Sequence, residues 1–131
     1  MKKTLKILVA EDNLEVQEAI KKILGKEFEL DIVSTPEEAI GYDKNFDLLL
    51  TDFYFGEDKK RGTEIIRYWK EKRKDLSTAL MSSGLNNIII DECNKLDTIT
   101  FRKYKDNKTP IEEDELMKAI IPCSKNVYKK I

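Results

Sequence analysis

Short apolar runs, each closed by polar residues, alternate along this chain with stretches of helical spacing, and that alternation constrains the fold more than any other feature. Leu5 to Ala10 is almost continuously apolar, as in a strand buried on both faces. Val16, Ala19, Ile20, Ile23 and Leu24 then recur at spacings of three and one, the stripe of an amphipathic helix. Asp12 or Asn13 can cap its start and Gly25 suits its end. Phe28 to Val33 alternates apolar with acidic residues, which suits a strand near a sheet edge. Thr35-Pro36-Glu37-Glu38 supplies a cap, a first-turn proline and a capping-box glutamate for a short helix ending near Gly41 to Lys44.

The pattern repeats further on. Leu48 to Thr51 is a buried strand ended by Asp52, and Phe53 to Gly62 is a charged, glycine-containing loop. Thr63 to Lys72 is a helix with Ile65, Ile66 and Trp69 inward, followed by a buried strand over Thr78 to Met81. Asn86 to Leu96 reads as a helix, although its isoleucines suit a strand by propensity alone. Thr98 to Arg102 is a final strand and Glu112 to Ile121 a final helix. Five strands alternating with five helices predict an α/β domain with a doubly wound, five-stranded parallel sheet. Right-handed crossovers make 2-1-3-4-5 the natural strand order, with any ligand site beyond the carboxyl ends of the strands. The domain is expected over residues 1–121, with 122–131 as a C-terminal tail or truncated linker.

Composition narrows the function classes. Lys plus Arg number 24 against 25 Asp plus Glu, so the chain lacks the basic excess that nucleic-acid binding usually requires. The basic runs at Lys59-Lys60-Arg61 and Arg67 to Lys74 read as solvated surface. With two cysteines and no histidine, neither a disulfide framework nor a conventional zinc site can be built. No apolar stretch approaches the roughly 20 residues of a membrane span. A cytoplasmic protein with reduced thiols is expected.

The strand ends carry the chemistry. The first strand delivers Glu11-Asp12, the third Asp52, the fourth Ser82-Ser83-Gly84 and the fifth Arg102-Lys103. In the expected order the first and third strands are neighbours, so three carboxylates crowd one edge and require a cation. Hard oxygen donors without Cys or His suit Mg2+. Ser82 and Lys103 can hold phosphoryl oxygens on the far side, and Asp52 can attack phosphorus. Taken singly, Glu11 or Asp12 could simply cap a helix, Asp52 could end a strand, Ser82 could bond backbone, and Lys103 is one of many lysines. Their joint placement at the right strand ends argues for a site.

ILVAEDN at 7–13, DLLLTD at 47–52, ALMSSG at 79–84 and FRKY at 101–104 resemble the receiver domains of two-component response regulators, over about Leu5 to Ile121. The resemblance implies the flavodoxin-like receiver fold, with Glu11 and Asp12 as the metal-binding acidic pair and Asp52 as phosphoacceptor. It also implies the backbone carbonyl of Tyr54 as a further Mg2+ contact, Ser82 as the switch hydroxyl and Lys103 as the phosphate-binding lysine. A sensor histidine kinase or phosphotransfer protein would then be the donor. A downstream partner or second copy would dock on the face made by strand 4, helix 4, strand 5 and helix 5. Such a domain is a self-modifying switch rather than a turnover enzyme.

Three features depart from the family pattern. Tyr104 stands where proline usually follows the lysine. The loop after Asp52 is longer and more charged. Thr100 occupies the position of the usual aromatic switch, with Phe101 beside it. These departures keep a second reading open, a receiver-like interaction module that works without phosphorylation. A hydrolase with a strand-end aspartate nucleophile would carry a second Asp where Tyr54 stands. A flavin phosphate would be repelled by Glu11-Asp12-Asn13.

Overall fold

The computed structural model describes residues 4–103 and 113–130. Its strands are β1 (Lys6–Ala10), β2 (Glu29–Val33), β3 (Leu48–Asp52), β4 (Ser77–Ser82) and β5 (Ile99–Arg102). Its helices are α1 (Leu14–Leu24), α2 (Pro36–Ile40), α3 (Gly62–Lys72), α4 (Asn87–Lys95) and α5 (Glu113–Lys130). The strands form one parallel sheet in the order β2-β1-β3-β4-β5. The apolar–acidic alternation of β2 places it at an edge, as its half-buried residues show. Asn87–Lys95 is helical, capped by the Asn86 side chain, which accepts from Ile89 N at 2.9 Å.

Because side chains alternate across a strand, continuous apolar runs feed two cores at once. Ile7, Val9, Leu48, Leu50, Ala79 and Met81 pack with Val16, Ile20 and Leu24 of α1 and with Leu116, Ile120 and Cys123 of α5. Leu8, Ala10, Leu49 and Leu80 point the other way, to Ala39, Ile65, Ile66, Ile89 and Cys93. Both faces of the sheet are thus covered, which explains the apolar runs at 7–10 in β1, 48–50 in β3 and 79–81 in β4.

Two local expectations are refined. Asn13, not Asp12, caps α1: its Oδ1 accepts from Glu15 N at 2.9 Å and Val16 N at 3.3 Å. At α2, Thr35 Oγ1 accepts from Glu38 N at 3.1 Å, while Glu38 Oε1 accepts from Ser34 N at 3.3 Å, one residue before the cap.

One expectation is corrected. Residues 122–130, read as tail, continue α5 as helix to Lys130, with Pro122 inside it. Proline deprives one turn of its donor, but Pro122 lies on the exposed side. Cys123 and Val127 prolong the buried stripe of Leu116 and Ile120 at spacings of three and four, and this burial carries the helix through. Glu112 and Tyr104 lie outside the described residues.

Candidate phosphoacceptor site

Strand parity assembles the site. Glu11 continues the face of Ile7 and Val9, Asp52 that of Leu48 and Leu50, and Lys103 that of Ile99 and Phe101, so all three side chains belong to the α1–α5 side. Both backbones prolong the sheet ladder past the strand ends: Glu11 N donates to Val33 O, and Lys103 N to Ser82 O, each at 2.9 Å. From β5, Lys103 must cross two strand spacings, roughly 9–10 Å, to reach β3. A four-carbon stem makes this reach feasible.

The result is a compact charged cluster. Lys103 Nζ lies 2.6 Å from Glu11 Oε1 and 2.8 Å from Asp52 Oδ2. Glu11 is fully buried, Asp52 is 3% exposed and Lys103 7%. Asp12 is exposed beside them, and one carboxylate oxygen from each of Glu11, Asp12 and Asp52 falls within 4.8 Å of the others. Backbone donors fix two of the acids: Phe53 N donates to Asp52 Oδ1 at 2.8 Å and Asn13 N to Glu11 Oε1 at 3.2 Å.

Glu11 Oε2 is a buried oxygen without a hydrogen-bond partner among the described residues. A buried acceptor left in this state needs a ligand or a proton. Three converging carboxylates plus one orphaned oxygen suit a hard divalent cation such as Mg2+. Burial, reinforced by the neighbouring Asp52 charge and only partly offset by Lys103, pushes the Glu11 carboxyl up to about 8. Burial also raises Asp52, against the pull of Lys103. Burial pulls Lys103 down, but Asp52 and then Glu11 outweigh it and hold the ammonium above its ordinary value.

Of the six residues expected at the site, the structure brings Glu11, Asp12, Asp52 and Lys103 together. Ser82 ends β4, fully buried, but its Oγ donates to Gly84 O at 3.2 Å and accepts from Gly84 N at 3.3 Å. Tyr54 heads the loop after Asp52, its ring half exposed, edge-on to Phe53 at 4.6 Å and under the Arg61 guanidinium at 4.7 Å. Thr100 is half-buried in β5, whereas Phe101 packs into the α1–α5 core.

Three supporting residues were not expected at the site, although Gly56 and Gly62 were expected in the loop after Asp52. Gln17, buried on the inner stripe of α1, donates from Nε2 to Glu11 O at 2.5 Å and to Ser34 Oγ at 3.3 Å, tying helix and strand end together. A glutamine at an inward helical position was the available signal. Gly62 starts α3 so close to Asp52 that a Cβ there would lie 2.0 Å from Asp52 O. Gly56 adopts a positive φ of 54°, and a Cβ on it would lie 3.3 Å from Asp12 Oδ2, so this loop runs directly beside the acidic cluster.

A doubly wound parallel sheet with carboxylates and a lysine converging at its carboxyl edge defines the class. Its fold is that of response-regulator receiver domains, as comparison with known proteins shows. A CheY-like receiver domain protein from Methanospirillum hungatei superposes with a TM-score of 0.79 over 98% of this chain and 100% of its own, at 17% identity. The beryllofluoride-activated DrrB receiver domain gives a TM-score of 0.77 over 94% and 99%, at 16% identity. The non-phosphorylated HemR receiver domain from Leptospira biflexa gives 0.77 over 92% and 94%, at 20% identity. The sequence itself matches no family model and no curated protein.

Proposed function

We propose that this chain is a receiver in a two-component phosphorelay, a switch domain that accepts a phosphoryl group on Asp52 and thereby changes its contacts with a partner. One observation carries the reading: Asp52 is buried at the end of a central strand, in contact with Lys103, with Glu11 and Asp12 carboxylates inside the same 4.8 Å cluster. The donor is a sensor histidine kinase or a phosphotransfer protein, since the chain has no histidine of its own.

Glu11, Asp12 and Asp52 would hold Mg2+, with the Tyr54 carbonyl as the further ligand that the resemblance implies. When bound, the ion supplies charge neutralisation as phosphoryl oxygens approach. The remaining work belongs to the chain. The Asp52 carboxylate, oriented by the Phe53 N–H, attacks phosphorus, and the donor imidazole departs as the P–N bond breaks. Lys103 pairs with a phosphoryl oxygen. Ser82 exchanges its bonds to Gly84 for a phosphoryl oxygen, which moves the loop between β4 and α4. That loop leads to the β4-α4-β5-α5 face, where Ile88 presents an apolar side chain that is 78% exposed. A downstream protein or second copy docks there.

Intact-mass measurement after incubation with acetyl phosphate and Mg2+ tests this. One phosphoryl increment should appear on the native chain and be absent from Asp52→Asn or when Mg2+ is chelated. An increment that persists in Asp52→Asn would overturn the assignment.

A further inference from the structure

Residues 27–33 read Glu-Phe-Glu-Leu-Asp-Ile-Val, acidic and apolar by turns with no basic residue among them. In the fold Phe28, Leu30 and Ile32 pack toward the α1–α5 core, and Glu29 and Asp31 take the opposite face of β2. The chemistry at Asp52 uses none of them. β2 also ends the sheet, with no strand beyond it among the described residues. We infer that this edge docks an extended segment of a partner protein, in which apolar residues alternate with lysine or arginine, and that the segment joins the sheet as a further strand. The opposite edge is β5, so the β4-α4-β5-α5 face stays open to a second partner.

Main-chain parity gives the edge its bonding capacity. Glu29 N donates to Leu5 O and Val33 O accepts from Glu11 N, both at 2.9 Å, so Glu29, Asp31 and Val33 turn their main-chain groups toward β1. Leu30 and Ile32 turn theirs outward. The side chains of these same two residues line a groove of about 440 Å3 between β2 and α1, with Phe28, Gly25, Gln17 and Lys21. A strand laid beside β2 therefore meets Leu30 and Ile32 twice. Main-chain hydrogen bonds supply affinity, and every second side chain enters the groove and supplies selectivity.

Charge selects the occupant. The remaining side chains of an added strand would stand beside Glu29 and Asp31, where opposite charges stabilise and like charges repel. Asp31 is already held by Lys6 at 3.1 Å and by the Tyr42 hydroxyl, so the exposed Glu27 and Glu29 carry the open charge. On the groove side Lys21 is paired with Glu18 at 3.2 Å, which leaves apolar side chains as the fitting guests. A second copy of this chain fits poorly. An antiparallel pair centred on Leu30 sets Glu29 against Asp31, and one centred on Asp31 sets that residue against itself. The acids thus guard the edge against its own kind and leave it open to a basic strand.

The probe is an end-capped hexapeptide of alternating lysine and valine, titrated into the 15N-labelled full chain. With the peptide at about ten times its Kd, the Leu30 and Ile32 amides should exchange with solvent about tenfold more slowly. The same peptide N-methylated throughout keeps its side chains, loses its donors and should not bind. Glu27→Lys combined with Glu29→Lys, both on exposed positions, should weaken binding on the order of tenfold and transfer the preference to a glutamate–valine hexapeptide. No binding at millimolar peptide would overturn the inference. So would binding that leaves the Leu30 and Ile32 amides unprotected, or that treats the lysine and glutamate peptides alike. Protection of those amides that grows with protein concentration alone would overturn it in favour of self-pairing. None of these outcomes depends on whether Asp52 accepts a phosphoryl group.

Discussion

Glu11 concentrates the electrostatics of the site into one side chain. Its carboxyl, pushed up to about 8 chiefly by burial, binds a proton more tightly in the folded chain than in the unfolded one, where the ordinary value is 4.5. A raised acid contributes stability that is complete below the unfolded value and is lost as pH climbs through the folded one. Asp52 is raised as well and acts in the same direction. Metal-free protein should therefore lose stability between about pH 4.5 and about pH 8, and Glu11→Gln should flatten that loss; urea midpoints across the range would show it. Mg2+ affinity should rise over the same interval, because the ion must displace the proton. The acidic pair and Asp52 were legible from their positions at strand ends. Gln17 and Gly62 were not, because their importance lies in contacts with the carbonyls of Glu11 and Asp52, and backbone oxygens leave no trace in the sequence.

Among the elements, the buried strands were the easiest to read. A parallel strand covered on both faces is apolar along most of its length, so the runs at 7–10 in β1 and 48–50 in β3 stand out. α5 was read too short, because proline ordinarily ends a helix and only the packed sheet reveals that Cys123 and Val127 continue its buried stripe. This has a measurable consequence. Removing 122–131 should destabilise the domain by about 2–5 kcal/mol, the range for losing large buried side chains, and lower the urea midpoint accordingly. Val127→Ala should reproduce part of that loss. An unchanged midpoint would mean that the segment is a dispensable appendage.

For the molecule as a whole, the paired cores confine change to the carboxyl edge of the sheet. Ile7, Val9, Leu48 and Leu50 on one side and Leu8, Leu49 and Leu80 on the other are fully buried, so the sheet itself is a poor place for adjustment. A ligand that binds only the folded chain raises its melting temperature. Beryllofluoride with Mg2+ should therefore raise Tm more than Mg2+ alone, and Asp52→Asn should abolish the additional rise. Scanning calorimetry on both proteins would decide the matter. A shift retained in Asp52→Asn would place the fluoride complex elsewhere.

Gly62 limits where the carboxyl edge of the sheet can yield. Its Cα rests so near the Asp52 carbonyl that no side chain fits between, and its N–H is bonded to Phe53 O at 2.9 Å. The first turn of α3 therefore behaves as a stator, clamped to Asp52. The Ser82 hydroxyl, by contrast, is held by two long bonds within its own turn, at 3.2 and 3.3 Å. On the proposed reading, a displacement generated by a phosphoryl group on Asp52 would be resisted by the clamped side and delivered to the yielding one. If Asp52 accepts a phosphoryl group as proposed, one glycine would give the switch its direction of throw.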